Sequence, residues 1–159
     1  MNKKTLVRRI VETLQEELEV HARSARSARA EATDEQSRAE NKYDTRGLEA
    51  SYLARGQSKV VADLQAAMQH FENLTLRQLP EGSAVEVGAL VAVSGPDGES
   101  TYFLGPAAGG TEVTLDRTEV LVLTAHSPLG QQLMGKRAGD RIQLPGGPKK
   151  IFGKVVRVS

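Results

Sequence analysis

Three carboxylates, Glu40, Asp44 and Glu49, stand close together in the stretch RAENKYDTRGLEASYLARGQ, residues 38–57. Interleaved with them and just beyond are Arg38, Lys42, Arg46, Arg55 and Lys59. Carboxylates grouped in this way suit the donation of oxygen ligands to a divalent cation. Mg²⁺ takes oxygens in near-octahedral geometry and commonly uses only one or two carboxylates. A solvated connection between two helices could carry the same cluster. The basic residues read equally as a solvated helix face or, beside a nucleic acid, as phosphate contacts. Asp44, like Thr45, also suits the N-cap of a following helix, where a side-chain oxygen accepts from free backbone N–H groups.

No other constellation competes for chemistry. The three histidines, His21, His70 and His126, are scattered over both halves, and neither a nucleophile elbow nor a phosphate-binding loop is present. GPAAGG lacks the strand-to-helix context of a phosphate site, and PGGPKK reads as a hairpin turn. Intrinsic enzymatic activity is therefore not expected, and neither is an intrinsic cofactor.

Composition narrows the class further. The chain has 159 residues, long enough for one ordinary domain or two small ones. Apolar residues make up 39% but aromatic ones only 4%, so the core must be mainly aliphatic. The absence of cysteine excludes a disulfide framework and a thiolate zinc site, which fits a reducing compartment. MNKKTLVRRIVETL has no continuous apolar run and resembles neither a signal peptide nor a membrane span. A cytoplasmic protein with no membrane partner is expected. Twenty-one basic and 20 acidic residues nearly cancel, leaving +1. That balance supplies no general pull toward nucleic acid, so contact with DNA or RNA would come through a partner.

The elements that must position the acids are helical. From Leu6 to Leu79 there is no proline, and glycine occurs only at Gly47 and Gly56. Leu6, Ile10, Leu14 and Leu18 step by four and continue as Ala22, Ala25, Ala28 and Ala32. A second stripe runs through Leu48, Tyr52, Val60, Leu64, Ala67, Phe71 and Leu74. These narrow stripes predict two helices forming an antiparallel coiled coil over residues 1–79, with the acids at the connection. A helix of about 28 residues is roughly 42 Å long, so the tip is expected to project beyond any small domain.

At Pro80 the period changes from helical to alternating. SAVEVGALVAV, TYFLG, TEVTL and EVLVLTA read as short strands, and RIQLPGGPKKIFGKVVRVS reads as a closing hairpin turning at Gly146 and Gly147. Between them, Ser127 suits an N-cap, Pro128 the first helical position and Gly135 the stop. Residues 80–159 are thus predicted to form an α+β domain of five or six antiparallel strands with one short helix.

The segment SPLGQQLMGKRAGDRIQL, followed by a Gly-Gly hairpin and a valine-rich strand, resembles the C-terminal domain of the bacterial Gre transcript-cleavage factors, the GreA/GreB-like family. The preceding helical hairpin matches the same architecture, so the resemblance covers essentially the whole chain. It implies an FKBP-like C-terminal domain that docks on the rim of the secondary channel of RNA polymerase, with His126, Ser127, Pro128 and Leu129 at the contact. The coiled coil would enter the channel, where Asp44 and Glu40, with Glu49, would help hold Mg²⁺ jointly with the polymerase. A metal ion there lowers the pKa of bound water and supports in-line attack on RNA. Nascent RNA and DNA would be met only inside the elongation complex, by Arg38, Lys42, Arg46, Arg55 and Lys59.

The tip departs from the family pattern of an Asp and a Glu three residues apart. Matching SYLARGQ places the paired acids at Thr45 and Leu48, and matching Glu40 with Asn41 places Ser37 where the Asp belongs. Two functional readings follow: stimulated cleavage of backtracked RNA, or regulation from the channel without cleavage. His126 also stands where the cleavage factors often carry an acid. A third reading, from a different class, is a structural coiled-coil module that dimerises through its helices. The switch from leucine to alanine near residue 22 suits an intramolecular pair better, so a monomer is expected. Prolyl isomerase activity, a possibility for an FKBP-like fold, needs an aromatic-lined pocket, yet this half has only Tyr102, Phe103 and Phe152.

Overall fold

Asn2 starts the first helix: its Oδ1 accepts from the backbone N–H of Lys4 at 2.9 Å and of Thr5 at 3.4 Å. The computed structural model describes residues 1–33, 46–145 and 151–159. Helix α1 runs from Lys3 to Thr33 and α2 from Arg46 to Glu72. By packing, the chain forms two compact units, one made of Met1–Val11 with Gln69–Ser159 and the other of Glu12–Met68.

Within Glu12–Met68 the two long helices pack together, and the half-buried His21 Nδ1 shares a hydrogen bond with Gln57 Oε1. The stripe expected on α1 is the one that packs. Leu14 and Ala28 are buried, while Leu18, Ala22, Ala25 and Ala32 are half-buried. On α2 the stripe begins elsewhere. Leu48 and Tyr52 are 55% and 63% exposed, and the inward side is instead carried by buried Ala50, half-buried Ala54 and Gln57, then Val61 and Leu64. A step from Ala50 to Leu48 or Tyr52 turns the helix by roughly 160–200° at about 100° per residue, so the large apolar residues fall opposite the seam. The seam is mixed: small Ala28, Ala50 and Ala54 share it with Leu14, Leu18, Val61 and Leu64.

In the other unit, six strands form one open sheet: β1 (Leu90–Gly95), β2 (Gly98–Gly105), β3 (Glu112–Leu115), β4 (Thr118–Thr124), β5 (Arg141–Leu144) and β6 (Ile151–Val158). Their order is β3-β4-β2-β1-β6-β5. Four pairings are antiparallel, and β2 with β4 is the parallel one, from Thr101 opposite Val120 to Gly105 opposite Thr124. The crossover that allows this is β3, which hairpins back from the sheet edge through Asp116 and Arg117, both at positive φ (52° and 63°).

The alternating run SAVEVGALVAV yields a strand only from Leu90. Val85 is drawn away: its N–H donates to Lys136 O at 2.8 Å, and its carbonyl accepts from Gly135 N at 2.9 Å. Gly88, at φ 90°, then turns the chain into β1. Leu90, Val91, Ala92 and Val93 are all buried, so β1 is covered on both faces. One face packs with the short helix α3 (Pro128–Leu133) through Val91, Val93, Leu129, Leu133 and Ile142. Toward the other lies Phe71, whose ring stacks on Phe103 at 6.5 Å and 25°. Leu6, Ile10 and Phe71 therefore belong to the core of the sheet unit although they sit on the long helices. Lys3 Nζ ties α1 to the same unit by donating to the carbonyls of Arg77 and, at 3.2 Å, Gly88.

Candidate functional site

The segment from Thr124 to Gln131 folds into a tightly bonded corner. Ser127 sits in extended conformation, φ −68° and ψ 152°, as the N-cap of α3, and Pro128 occupies the first turn, where its missing N–H has no intrahelical acceptor to lose. The Ser127 hydroxyl works twice: it donates to Thr124 O at 2.8 Å and accepts from Gly130 N at 3.1 Å. Ser127 N–H donates to the same Thr124 carbonyl at 3.1 Å, and Gln131 N–H donates to Ser127 O at 2.8 Å. Gln131 Nε2 closes the outside by donating to His126 O at 3.1 Å.

This network leaves His126 and Pro128 exposed, Ser127 half-buried and Leu129 7% exposed within the core cluster. His126 and Pro128 are the projecting surface, and Leu129 is the anchor beneath it. Gly130 permits the closeness. A Cβ at that position would lie 1.9 Å from Thr124 O and 2.8 Å from Ser127 Oγ. Neither Gly130 nor Thr124 stood out in the sequence, because the need for glycine here is the approach of two backbone segments. The only local signal was the glycine two residues after proline at a helix start.

Glu49 lies in the first turn of α2 and is exposed, where the partial positive charge of a helix N-terminus favours a carboxylate. Arg55 and Lys59 are exposed and four residues apart, so they share a face, with Tyr52 on the same side. Arg38, Glu40, Lys42 and Asp44 lie outside the described residues, as do Thr45, the side chain of Arg46 and the Gly146–Gly147 turn. Among the described residues no group of three or more acidic, histidine or cysteine side chains gathers where a metal ion could be held. None of their helices is long and apolar enough to cross a membrane.

No protein-family model matches the chain, and no curated protein does. Solved structures with a likeness to it include the GreA factor homolog 1 protein of Thermus thermophilus, at 19% identity with 94% of each chain covered and a TM-score of 0.38. The corresponding protein of Thermus aquaticus is 20% identical, with 92% of each chain covered and a TM-score of 0.39. A prokaryotic transcription elongation factor, GreA/GreB, from Nitrosomonas europaea is 16% identical, covering 70% of this chain and 94% of that one with a TM-score of 0.38. At these identities no residue's role carries across.

Proposed function

We propose that this chain is a transcription factor that binds bacterial RNA polymerase at its secondary channel and regulates it without stimulating RNA cleavage. The corner at Ser127 carries the docking half of this reading. SPLGQQLMGKRAGD, the segment that resembles the Gre factors, is the one that folds into a bonded corner projecting His126 and Pro128, with Leu129 fixing it to the core. The two long helices supply the finger of that reading.

Leu48 carries the other half. In the register that matches SYLARGQ, Leu48 occupies the place of one of the paired acids, and it is an apolar side chain 55% exposed near the start of α2. A leucine offers no oxygen to Mg²⁺. With Thr45 at the other place, that register has no carboxylate pair, and the alternative register has Ser37 in place of an acid. The finger then acts by occupying the channel, where it alters nucleotide access, pausing or initiation.

The rival reading, a dimerising helical module, draws support from exposed Leu48, Tyr52 and Leu53 on α2. Sedimentation at micromolar concentration separates the two, since a channel factor is expected at the mass of one chain.

The functional test uses stalled, backtracked elongation complexes carrying 3′-labelled RNA and Mg²⁺. Binding, with a changed rate of nucleotide addition and no release of short 3′ fragments, is the expected result. Fragment release that Asp44→Ala, Glu40→Ala or Glu49→Ala abolishes would restore the cleavage reading. Failure to bind would sink the polymerase reading itself.

A further inference from the structure

Charge in the sheet unit is segregated along the chain, and for the strands the topology turns that order into a spatial one. Between Glu81 and Glu119, seven residues are acidic and only Arg117 is basic; between Ser127 and Ser159, seven are basic and only Asp140 is acidic. Strands β2, β3 and β4, bearing Glu99, Glu112 and Glu119, form one end of the sheet, while β6 and β5, bearing Lys154, Arg157 and Arg141, form the other. Asp140, the acid at the basic end, is held by a turn, its Oδ2 accepting from Arg137 N at 2.8 Å. Glu81 and Glu86 flank the stretch that bonds Gly135, Lys136 and Arg137, so the positive excess is that of the strands.

At this basic end a groove of about 680 Å³ opens between α3 and β5, lined by Gln131, Gln132, Met134, Lys136, Arg141 and Phe152 among others. Phe152 is 47% exposed, a large ring left near solvent in a protein with few aromatics. The Arg141 guanidinium lies over it, 5.0 Å from the ring centroid, a cation–π arrangement that fixes the charge in place. Gln132 Oε1 accepts from the Gln143 backbone N–H at 2.7 Å, joining α3 to the edge strand β5 and making one wall of the other. The groove also continues the corner, because Gln131 lines it and bonds His126 O.

We propose that this groove receives an acidic segment of the protein partner, with Arg141, held on Phe152, as its anchor and the Ser127 corner as its neighbour. The proposal rests on the polymerase reading and adds to it a second contact of defined chemistry. A protein segment fits better than nucleic acid on two counts. Met134 and Phe152 supply apolar surface that a phosphate backbone leaves unused, and one face of the ring is already covered by guanidinium, where a stacking base would lie. Carboxylates meeting a preorganised, fork-shaped guanidinium gain orientation as well as charge.

The experiment measures the affinity of the full chain for purified core RNA polymerase free of nucleic acid, at two salt concentrations. It compares wild type, Arg141→Glu, Phe152→Ala and, at the acidic end, Glu119→Lys, with unchanged thermal unfolding as the check on folding. Arg141 and Phe152 are in surface positions, and Arg141→Gln stands in should the charge reversal fail to fold. The expected result is a loss of roughly tenfold for Arg141→Glu, a smaller loss for Phe152→Ala, and no loss for Glu119→Lys. Raising the salt should weaken wild type more than Arg141→Glu. Wild-type binding with an unaffected Arg141→Glu overturns the groove and leaves the polymerase reading standing. An Arg141 effect that appears only once DNA and RNA are added assigns the groove to phosphate and overturns it too. No wild-type binding removes both.

Discussion

Replacing Gly130 with alanine should destabilise the protein although the position lies inside a helix. In an ordinary helix interior the change stabilises, by about 0.5–1 kcal/mol, because glycine loses more backbone entropy on folding. Here the new Cβ would meet Thr124 O at 1.9 Å and Thr124 C at 2.9 Å, both backbone atoms that cannot rotate away, and Ser127 Oγ at 2.8 Å. Relief requires the loop before α3 to move off, which stretches the Ser127 hydroxyl bonds to Thr124 O and from Gly130 N. Overpacking of this kind costs about 1–3 kcal/mol, and loss of a serine cap adds about 1 kcal/mol. Set against the helix gain, a net loss of about 1–3.5 kcal/mol is expected. For a unit of roughly a hundred residues that lowers the melting temperature by at least about 5 °C. Urea and thermal unfolding followed by circular dichroism would measure it, with Ser127→Ala as the companion that loses only the cap. Gly130→Ala that matched wild type within about 0.5 kcal/mol, or exceeded it, would refute the close approach and with it the rigidity ascribed to the corner.

The long helices give two further tests, one of packing and one of charge. Tyr52→Ser, at a position 63% exposed, should leave stability within about 0.5 kcal/mol, whereas Leu14→Ala, at 1% exposed, should cost about 2–5 kcal/mol in the same unfolding assay; equal losses would return Tyr52 to the seam. Burial holds the Lys3 ammonium below its ordinary value of 10.5, with the charge of Glu86 opposing. In the window between that lowered value and 10.5 the unfolded chain binds more protons, so this group's cost is fully present at neutral pH and fades as pH rises toward 10.5. The urea midpoint of wild type relative to Lys3→Met should therefore move in favour of wild type as pH is raised through that window, and a flat difference would refute it.

The α1 stripe was legible because leucines and alanines at one spacing leave no competing phase. On α2 the large apolar residues Leu48 and Tyr52 point to a seam that Ala50, Ala54, Gln57, Val61 and Leu64 carry instead, because side-chain size alone does not decide which face a helix buries. Strand β1 began later than the alternation predicts, since the hydrogen-bonding groups of Val85 are satisfied by Gly135 and Lys136, residues fifty positions on. The corner was foreseen from Ser127 and Pro128, whose roles are local. Its outward and inward sides were not, because whether Leu129 faces a partner or the core depends on Val91, Leu133 and Ile142 around it.

By itself the sequence determined the order of elements, two long helices and then a small sheet with one capped helix, because periodicity and caps are set by neighbours a few residues apart. It also determined that no full carboxylate pair stands in either register of the family pattern, since that is a matter of residue identity. Only the tertiary structure decided that the root of the helices shares a core with the sheet, that β2 and β4 run parallel, and that Arg141 comes to rest on Phe152. These depend on segments distant in the chain burying one another's apolar surface, a gain that exists only once the whole unit has closed.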